Sequence, residues 1–185
     1  DMANRDWSDE LLQACGLNRS QMPQLYEGNQ VTGILLPELA ERWGMAAVPL
    51  VAGAGDNAAG AIGAGIVSPG QAMLSLGTSG VYFAVSNGFV ANPQSAVHSF
   101  CHALPQTWHQ MGVILSATDA LNWHSGVTGK SSGELTGELG DDLKAPSGVT
   151  FLPYLSGERT PHNDAKIRGA FIGLGHESDR AVLTQ

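Results

Sequence analysis

The sequence predicts a mixed α/β fold in which antiparallel strand pairs lie in one part of a sheet and helices follow them. Residues 48–52 form a short apolar run that is typical of a buried strand. Residues 57–66 are almost all Ala, Gly and Ile, which predicts a small-residue helix directly after that strand. Two strand pairs are then predicted within residues 71–115, before the first long helical pattern.

The first fifty residues contain two predicted helices separated by a loop. Ser8 is a candidate N-cap for a short helix over residues 8–14, and Gly16 is placed to end it. Pro37 opens the second helix, and Gly44 follows its end at residue 43. The segment 18–32 is polar and is predicted to be a long connecting loop.

The remaining elements are predicted from alternating apolar patterns and from turn residues. They are strands 71–76 and 80–86 as a hairpin, strands 96–104 and 108–115 as a second pair, helices 116–125 and 133–143, strands 150–154 and 170–173, and a helix that begins at Arg180. Ser116 is the candidate N-cap of helix 116–125. The charged segment 157–166 is predicted to be a loop.

Composition excludes several classes of function. The chain has 185 residues, 43% of them hydrophobic, and a formal net charge of −8 with no basic run longer than two residues, which argues against nucleic-acid binding. No apolar stretch reaches membrane-spanning length. The cysteines, Cys15 and Cys101, form no C-x-x-C motif and indicate reduced thiols in the cytoplasm.

His98 and His102 lie on a predicted strand without a third ligand, so no metal site is expected. Both chain ends look cut, which predicts an internal piece of a longer protein.

The glycine-rich loop Gly53-Ala54-Gly55-Asp56-Asn57 is the first candidate site. It follows a predicted strand and opens a helix, and ligands of α/β folds bind at such strand ends. The glycines leave space into which the carboxylate of Asp56 and the amide of Asn57 can project. Two interpretations stay open from these residues alone: Asp56 acts on a bound ligand, or it caps the helix.

The segment Ser75-Leu76-Gly77-Thr78-Ser79-Gly80 is the second candidate site. Backbone N–H groups and hydroxyls at a strand–turn–strand tip can surround a phosphate. The alternative is an ordinary hairpin turn, although a two-residue turn would favour Asn-Gly or Gly-X over Thr-Ser.

The third candidate is the segment from Leu155 to His162, in which Glu158 and Arg159 follow a predicted strand. These side chains could face a binding cleft. The alternative is a solvated loop whose Glu-Arg pair contributes little to stability.

Together and in this order, Gly-Asp-Asn, Ser-Leu-Gly-Thr-Ser-Gly and Phe-Leu-Pro-Tyr-Leu-Ser-Gly-Glu-Arg-Thr-Pro-His resemble the FGGY carbohydrate kinases, as does the run from Ala96 to Pro105. The resemblance implies two actin-like, ribonuclease-H-like domains. Residues 1–50 would be the end of the first domain, and residues 51–185 would be the first half of the second, ATP-binding domain. The chain would therefore hold only part of this α/β fold.

The resemblance also implies an activity, the transfer of the γ-phosphate of ATP, with Mg²⁺, to a hydroxyl of D-xylulose. The residues that match the family's functional positions are Asp56 as catalytic base, Asn57 as a sugar contact, Gly77, Thr78 and Ser79 around the ATP phosphates, and Glu158 and Arg159 near the cleft, where a purely structural network is equally open. Other FGGY substrates, namely ribulose, gluconate or glycerol, stay open, as does a non-catalytic actin-like nucleotide-binding module. This piece alone is expected to be inactive, and a homodimer is an open expectation for the whole protein.

Overall fold

A computed structural model of the chain describes residues 1–142 and 145–185, which form short helices and strands. The helices are α1 (Asp9–Ala14), α2 (Pro37–Trp43), α3 (Asp56–Gly63), α4 (Thr118–Thr128), α5 (Ser132–Gly137) and α6 (Arg180–Thr184). The strands are β1 (Val31–Ile34), β2 (Pro49–Val51), β3 (Ala72–Leu76), β4 (Gly80–Ser86), β5 (His98–Cys101), β6 (Trp108–Ile114), β7 (Thr150–Leu152) and β8 (Ala170–Ile172). None of the helices in these two ranges is both long enough and apolar enough to cross a membrane.

The chain divides into two compact units. The first unit contains residues 1–73, 83–91 and 98–111, and the second contains residues 74–82, 92–97 and 112–185. The four-stranded sheet has the order β3-β4-β6-β5, so both predicted strand pairs are present in it. Strand β5 pairs with β6 in antiparallel register, with His98 opposite Met111 and Cys101 opposite Trp108. The predicted mixed α/β class is confirmed at this level.

Local signals determine the ends of the first two helices, as predicted. The Ser8 hydroxyl accepts the Leu11 N–H at 3.3 Å at the start of α1. Pro37 occupies the first turn of α2, and Gly44 ends that helix in the left-handed conformation at φ 65°. A left-handed residue satisfies the last carbonyls of a helix, and glycine adopts it without a steric penalty.

The segment predicted as a loop over residues 18–32 ends in a strand, which the prediction missed. Strand β1 pairs antiparallel with β2, with Ile34 opposite Pro49. A 3-10 turn at Arg19–Gln21 lies in the same segment. The prediction that residues 48–52 are buried is also wrong, because all three residues of β2 are exposed in this chain. Residues 31–34 lack an apolar alternation, so their partner strand, distant in sequence, decides their conformation.

Helix α3 has the predicted small-residue character but ends earlier than residue 66. Gly65 is left-handed at φ 75°, and the Ile66 N–H donates to the Ala61 carbonyl at 2.8 Å. These features form a Schellman-type helix end. Ala58 and Ala61 are the buried residues of the helix, which shows that small side chains let it pack closely.

Helix α4 begins two residues later than predicted, at Thr118, and Ser116 does not cap it. The N-cap residue is Ala117, which has no side-chain cap bond. Helix α5 begins instead with a complete capping box formed by Ser131 and Glu134. That helix ends at Gly137, well before the predicted end at residue 143, a residue that lies outside the described ranges.

The end of the chain contributes a small two-stranded sheet and an aromatic cluster to the second unit. Strands β7 and β8 pair antiparallel, with Phe151 opposite Phe171. Their rings stack at 4.6 Å between centroids, and Trp123 of α4 stacks on Phe151 at 5.9 Å. The predicted strands at 150–154 and 170–173 are therefore present in slightly shorter form, and the final helix begins at Arg180 as predicted.

Candidate active site

Asp56 lies at the first helical position of α3, one residue after the N-cap position. Gly55 occupies the N-cap in extended backbone (φ −62°, ψ 153°) and has no side chain to offer as a cap. The Asp56 Oδ1 atom accepts the backbone N–H of Asn57 at 2.8 Å and its side-chain amide at 3.3 Å. The side chain of Asp56 thus does not form an N-cap, and its carboxylate stays exposed.

A cavity of about 380 Å³ in the first unit has Asp56 and Asn57 in its wall. Its other lining residues are Met2, Gly55, Ala58, Phe100, Cys101, His109 and Met111. Most of this lining is apolar, with a few polar groups among it, which is the usual composition of a small-molecule site. The volume falls in the range of small-ligand pockets, about 300–1,000 Å³.

Two buried histidines lie next to each other, with ring centroids 5.9 Å apart, and one of them, His109, lines this cavity. The sequence interpretation weighed His102 only as a metal ligand and did not consider His109. The His102 Nε2 atom lies 3.2 Å from the Ile66 carbonyl oxygen, and its Nδ1 accepts the Leu104 N–H at 3.2 Å. Burial, with a smaller contribution from the neighbouring His102, lowers the pKa of His109 to about 4. His109 is therefore a neutral ring at pH 7. The sequence of strand β6 does not indicate that His109 is buried. Its burial depends on stacking against Phe83, which belongs to strand β4.

Among the residues that the structure describes, no group of three or more His, Cys, Asp or Glu side chains is arranged to hold a metal ion.

The candidate phosphate loop, residues 77–79, connects β3 to β4 and is exposed. Its carbonyls point towards the start of α4. The Thr78 carbonyl accepts the Ala117 N–H at 2.9 Å, and the Gly77 carbonyl accepts the Thr118 N–H at 3.0 Å. The Thr118 hydroxyl also donates to the Gly77 carbonyl, at 2.6 Å.

These bonds have two consequences for the loop. First, the loop carbonyls take the place of a side-chain cap for α4, since the first N–H groups of a helix need acceptors. Second, the N–H groups of Thr78 and Ser79 donate to no acceptor among the hydrogen bonds of the described residues. Exposed, unpaired N–H groups and a Thr hydroxyl are suited to bind phosphate oxygens.

Glu158 is buried, with 2% of its surface exposed. Its Oε1 accepts the backbone N–H of Leu115 at 3.0 Å and of Arg159 at 2.7 Å. The backbone of Glu158 exchanges two hydrogen bonds with Asp164, both at 2.9 Å. The interpretation of this segment as a solvated loop is therefore wrong for Glu158, although the side chain of Arg159 is exposed.

The structure brings Asp56 and Asn57 together on one cavity of the first unit. The other residues predicted for the site belong to the second unit, where they are Gly77, Thr78, Ser79, Glu158 and Arg159. Within that unit, hydrogen bonds from the segment 115–118 reach both the loop 77–79 and Glu158.

Comparison with models of known protein families gives the class of protein to which the chain belongs. The model for the N-terminal domain of the FGGY family of carbohydrate kinases matches residues 1–63. The model for the C-terminal domain of the same family matches residues 72–185. The chain belongs to the FGGY family of carbohydrate kinases.

The chain is also similar to individual members of this family. The chain is 61% identical to the xylulose kinase of Escherichia coli (strain K12), an alignment that covers 99% of this chain and 39% of that enzyme. It is 54% identical to the xylulose kinase of Klebsiella pneumoniae, over 100% of this chain and 38% of that enzyme. The chain thus spans about two fifths of the length of these relatives.

Solved structures agree with this assignment. The crystal structure of a xyloylose kinase from Brucella ovis superimposes with a TM-score of 0.96 at 60% identity, over 100% of this chain and 38% of that one. The crystal structure of gluconate kinase from Lactobacillus acidophilus has a TM-score of 0.87 at 21% identity, over 100% of this chain and 38% of that chain, and shows the shared fold alone.

Proposed function

We propose that this chain is the part of an ATP-dependent sugar kinase that holds its catalytic base, and that the sugar is D-xylulose. The observation that carries the proposal is the exposed carboxylate of Asp56 beside Asn57 on the wall of a small-molecule cavity. The choice of sugar is supported by the two xylulose kinases named above, at 54% and 61% identity.

In this proposal Asp56 orients the attacking sugar hydroxyl and accepts its proton as the phosphoryl group is transferred. Phosphoryl transfer depends on positioning and charge stabilisation, and an aspartate base is a recurrent part of it. The Asn57 side chain is half-buried at the same cavity and can hydrogen-bond to a second hydroxyl of the sugar. The bond from Asn57 to the Asp56 Oδ1 atom leaves the Oδ2 atom for the substrate.

The N–H groups of Thr78 and Ser79 and the Thr78 hydroxyl would bind the phosphates of ATP, together with the backbone of Gly77. They fit this role because they are exposed and donate to no other group among the described hydrogen bonds. Bound Mg²⁺ would neutralise phosphate charge, and it binds substrate phosphates and waters with only one or two carboxylates. Since the described residues contain no metal-binding cluster, no protein ligand for Mg²⁺ is assigned.

The domain division also belongs to this proposal. We infer that the chain joins the end of a first actin-like domain to the first half of a second, ATP-binding one. The boundary would lie between residue 50, where the sequence pattern changes, and residue 72, where the match to the C-terminal family model begins. A cytoplasmic location is supported by two free thiols. A homodimer is to be tested by light scattering on the full-length protein.

The decisive experiment is a coupled ATPase assay of the full-length protein with D-xylulose, ribulose, gluconate and glycerol. We expect the highest kcat/KM with D-xylulose. A higher kcat/KM with another of these sugars would replace the substrate while leaving the kinase class intact. A rate of nucleotide hydrolysis that is the same with and without each of these substrates would instead favour a non-catalytic actin-like module.

The same assay tests whether residues 1–185 act alone. We expect no sugar phosphorylation from this chain by itself, because family kinases close a cleft around both substrates and exclude water. Sugar-dependent turnover by the isolated chain would refute this part of the proposal.

A further inference from the structure

Strand β6 changes its hydrogen-bonding partner along its length. Its first half, Trp108–Met111, pairs with β5. Beyond that point a second segment supplies the partners: the Thr160 N–H donates to the Val113 carbonyl at 3.1 Å, and the Val113 N–H donates to the Thr160 hydroxyl at 3.0 Å. The segment 158–160 therefore supplies hydrogen-bond partners to the second half of β6 and to the residues that follow this strand.

Glu158 supplies the last of these partners with its side chain. The Leu115 N–H, just past the end of β6, donates to Glu158 Oε1 at 3.0 Å. The backbone of Glu158 is fixed by its two hydrogen bonds with Asp164, and its side chain is buried. An N–H that is partly withdrawn from water and has no acceptor is costly, so this bond holds the backbone where it leaves β6.

The residues that follow β6 are hydrogen-bonded to the phosphate loop. Two residues after Leu115, the N–H groups of Ala117 and Thr118 donate to the carbonyls of Thr78 and Gly77. The orientation of these carbonyls fixes the peptide planes of the loop, and with them the N–H groups of Thr78 and Ser79. A shift in the segment 115–118 would rotate the phosphate-binding N–H groups.

We infer that Glu158 is a positioning residue for the ATP phosphate loop, acting through Leu115 and the start of α4. This inference rests on the proposed function of residues 77–79 and gives Glu158 a part in it. In this inference Glu158 acts through backbone hydrogen bonds and not by touching ATP. Its acceptor oxygen, rather than its charge, is the property that matters, because both of its side-chain bonds come from backbone N–H groups.

The test compares two substitutions of similar size in the full-length kinase. Glu158→Gln keeps an acceptor oxygen for the Leu115 N–H, whereas Glu158→Met keeps the volume and removes the acceptor. We expect E158M to raise the KM for ATP about tenfold, the effect of losing one such hydrogen bond. We expect the KM for the sugar to stay within about twofold and E158Q to resemble the wild type.

Thr160→Val is the matched control. It removes the bond from Val113 on the same strand, but Val113 lies farther from the loop along the chain. We expect T160V to lower the thermal midpoint as E158M does while leaving the KM for ATP unchanged. An equal rise in the KM for ATP in T160V would overturn the inference, because it would mean general damage to this region.

Two further variants separate the possible failures. Thr118→Val removes the hydroxyl bond to the Gly77 carbonyl and should raise the KM for ATP even if E158M does not fold. An unchanged KM for ATP in T118V, or in folded E158M, would overturn the inference. If Thr78→Val also left every ATP parameter unchanged, the phosphate loop itself would be wrongly assigned, and the proposed function would fail with it.

Discussion

The imidazole of His109 stacks on the phenyl ring of Phe83, with ring centroids 4.1 Å apart and planes 19° apart. Both side chains are buried, at 3% and 0% exposure. Stacking between two neutral rings suits such a site, and burial keeps His109 neutral by lowering its pKa to about 4. The wall of the candidate sugar cavity thus contains a histidine that resists protonation.

This pKa predicts a pH dependence of stability. In the unfolded chain His109 returns to its ordinary value near 6.5, so between pH 6.5 and about 4 the unfolded state binds more protons than the folded state. The free energy of unfolding therefore falls as the pH drops through this window, by up to about 3 kcal/mol from this group. We expect His109→Phe to lose less thermal stability than the wild type between pH 7 and pH 5.

The control is His176→Phe, because His176 is exposed and should leave the pH dependence unchanged. Thermal midpoints of the full-length protein, measured across the same pH range, provide the comparison. Parallel curves for wild type and His109→Phe would contradict the prediction.

The role of Asp56 is tested by Asp56→Asn, which keeps the size of the side chain and removes its basicity. We expect kcat to fall by about 10²–10⁴, the usual contribution of a general base, while the affinity for the sugar changes little. Asp9→Asn is the matched control, since Asp9 also begins a helix and is exposed. Turnover near the wild-type value in Asp56→Asn would exclude Asp56 as the base.

The phosphate loop is tested by Thr78→Val, which removes a hydroxyl without changing the shape of the side chain. Loss of a hydrogen bond to a charged phosphate should raise the KM for ATP, or lower kcat, by about tenfold or more. Thr136→Val, on the exposed face of α5, is the control. A change confined to the KM for the sugar would show that the loop does not bind ATP.

Gly28 supports the loop that leads to Asp56, and Gly28→Ala tests this support. A Cβ atom at Gly28 would lie 2.4 Å from the Ala103 carbonyl oxygen and 3.0 Å from that of Gly53. Backbone atoms cannot move aside as a flexible side chain can, so we expect a loss of about 1–3 kcal/mol of stability.

Gly33→Ala is the natural comparison, because a Cβ atom at Gly33 would meet nothing within 4 Å. We expect it to leave the thermal midpoint of the full-length protein nearly unchanged. Equal midpoints for Gly28→Ala and the wild type would show that the Gly28 backbone is less constrained than this packing indicates.

Sequence reasoning reached the candidate site where the relevant chemistry is local. A carboxylate and an amide after a glycine-rich loop, and a Gly-Thr-Ser tip between two strands, mark positions 56–57 and 77–79 in the sequence itself. His102 was considered only as a metal ligand, and His109, which lines the cavity, was not considered at all. Their burial comes from pairing β5 with β6 and from packing on Phe83, and neither is visible in a local pattern.

The start of α4 illustrates the same limit. Ser116 has the residue type of an N-cap, and local propensity favours it there. In the structure the first N–H groups of α4 donate to carbonyls of the loop 77–79, about forty residues earlier in the chain. A tertiary acceptor thus replaced the local one, and the helix begins at Thr118.

The sequence by itself determined the elements whose signals lie within a few residues. Pro37 and Gly44 bound α2, and the strand pairs and the Asp56 loop follow from their own residues. Only the tertiary structure decided that β1 pairs with β2 and that Glu158 is buried. The Glu158 carboxylate binds a backbone N–H 43 residues away. Such an interaction depends on which distant segments meet, because the Leu115 N–H reaches this carboxylate only when folding brings the two segments together.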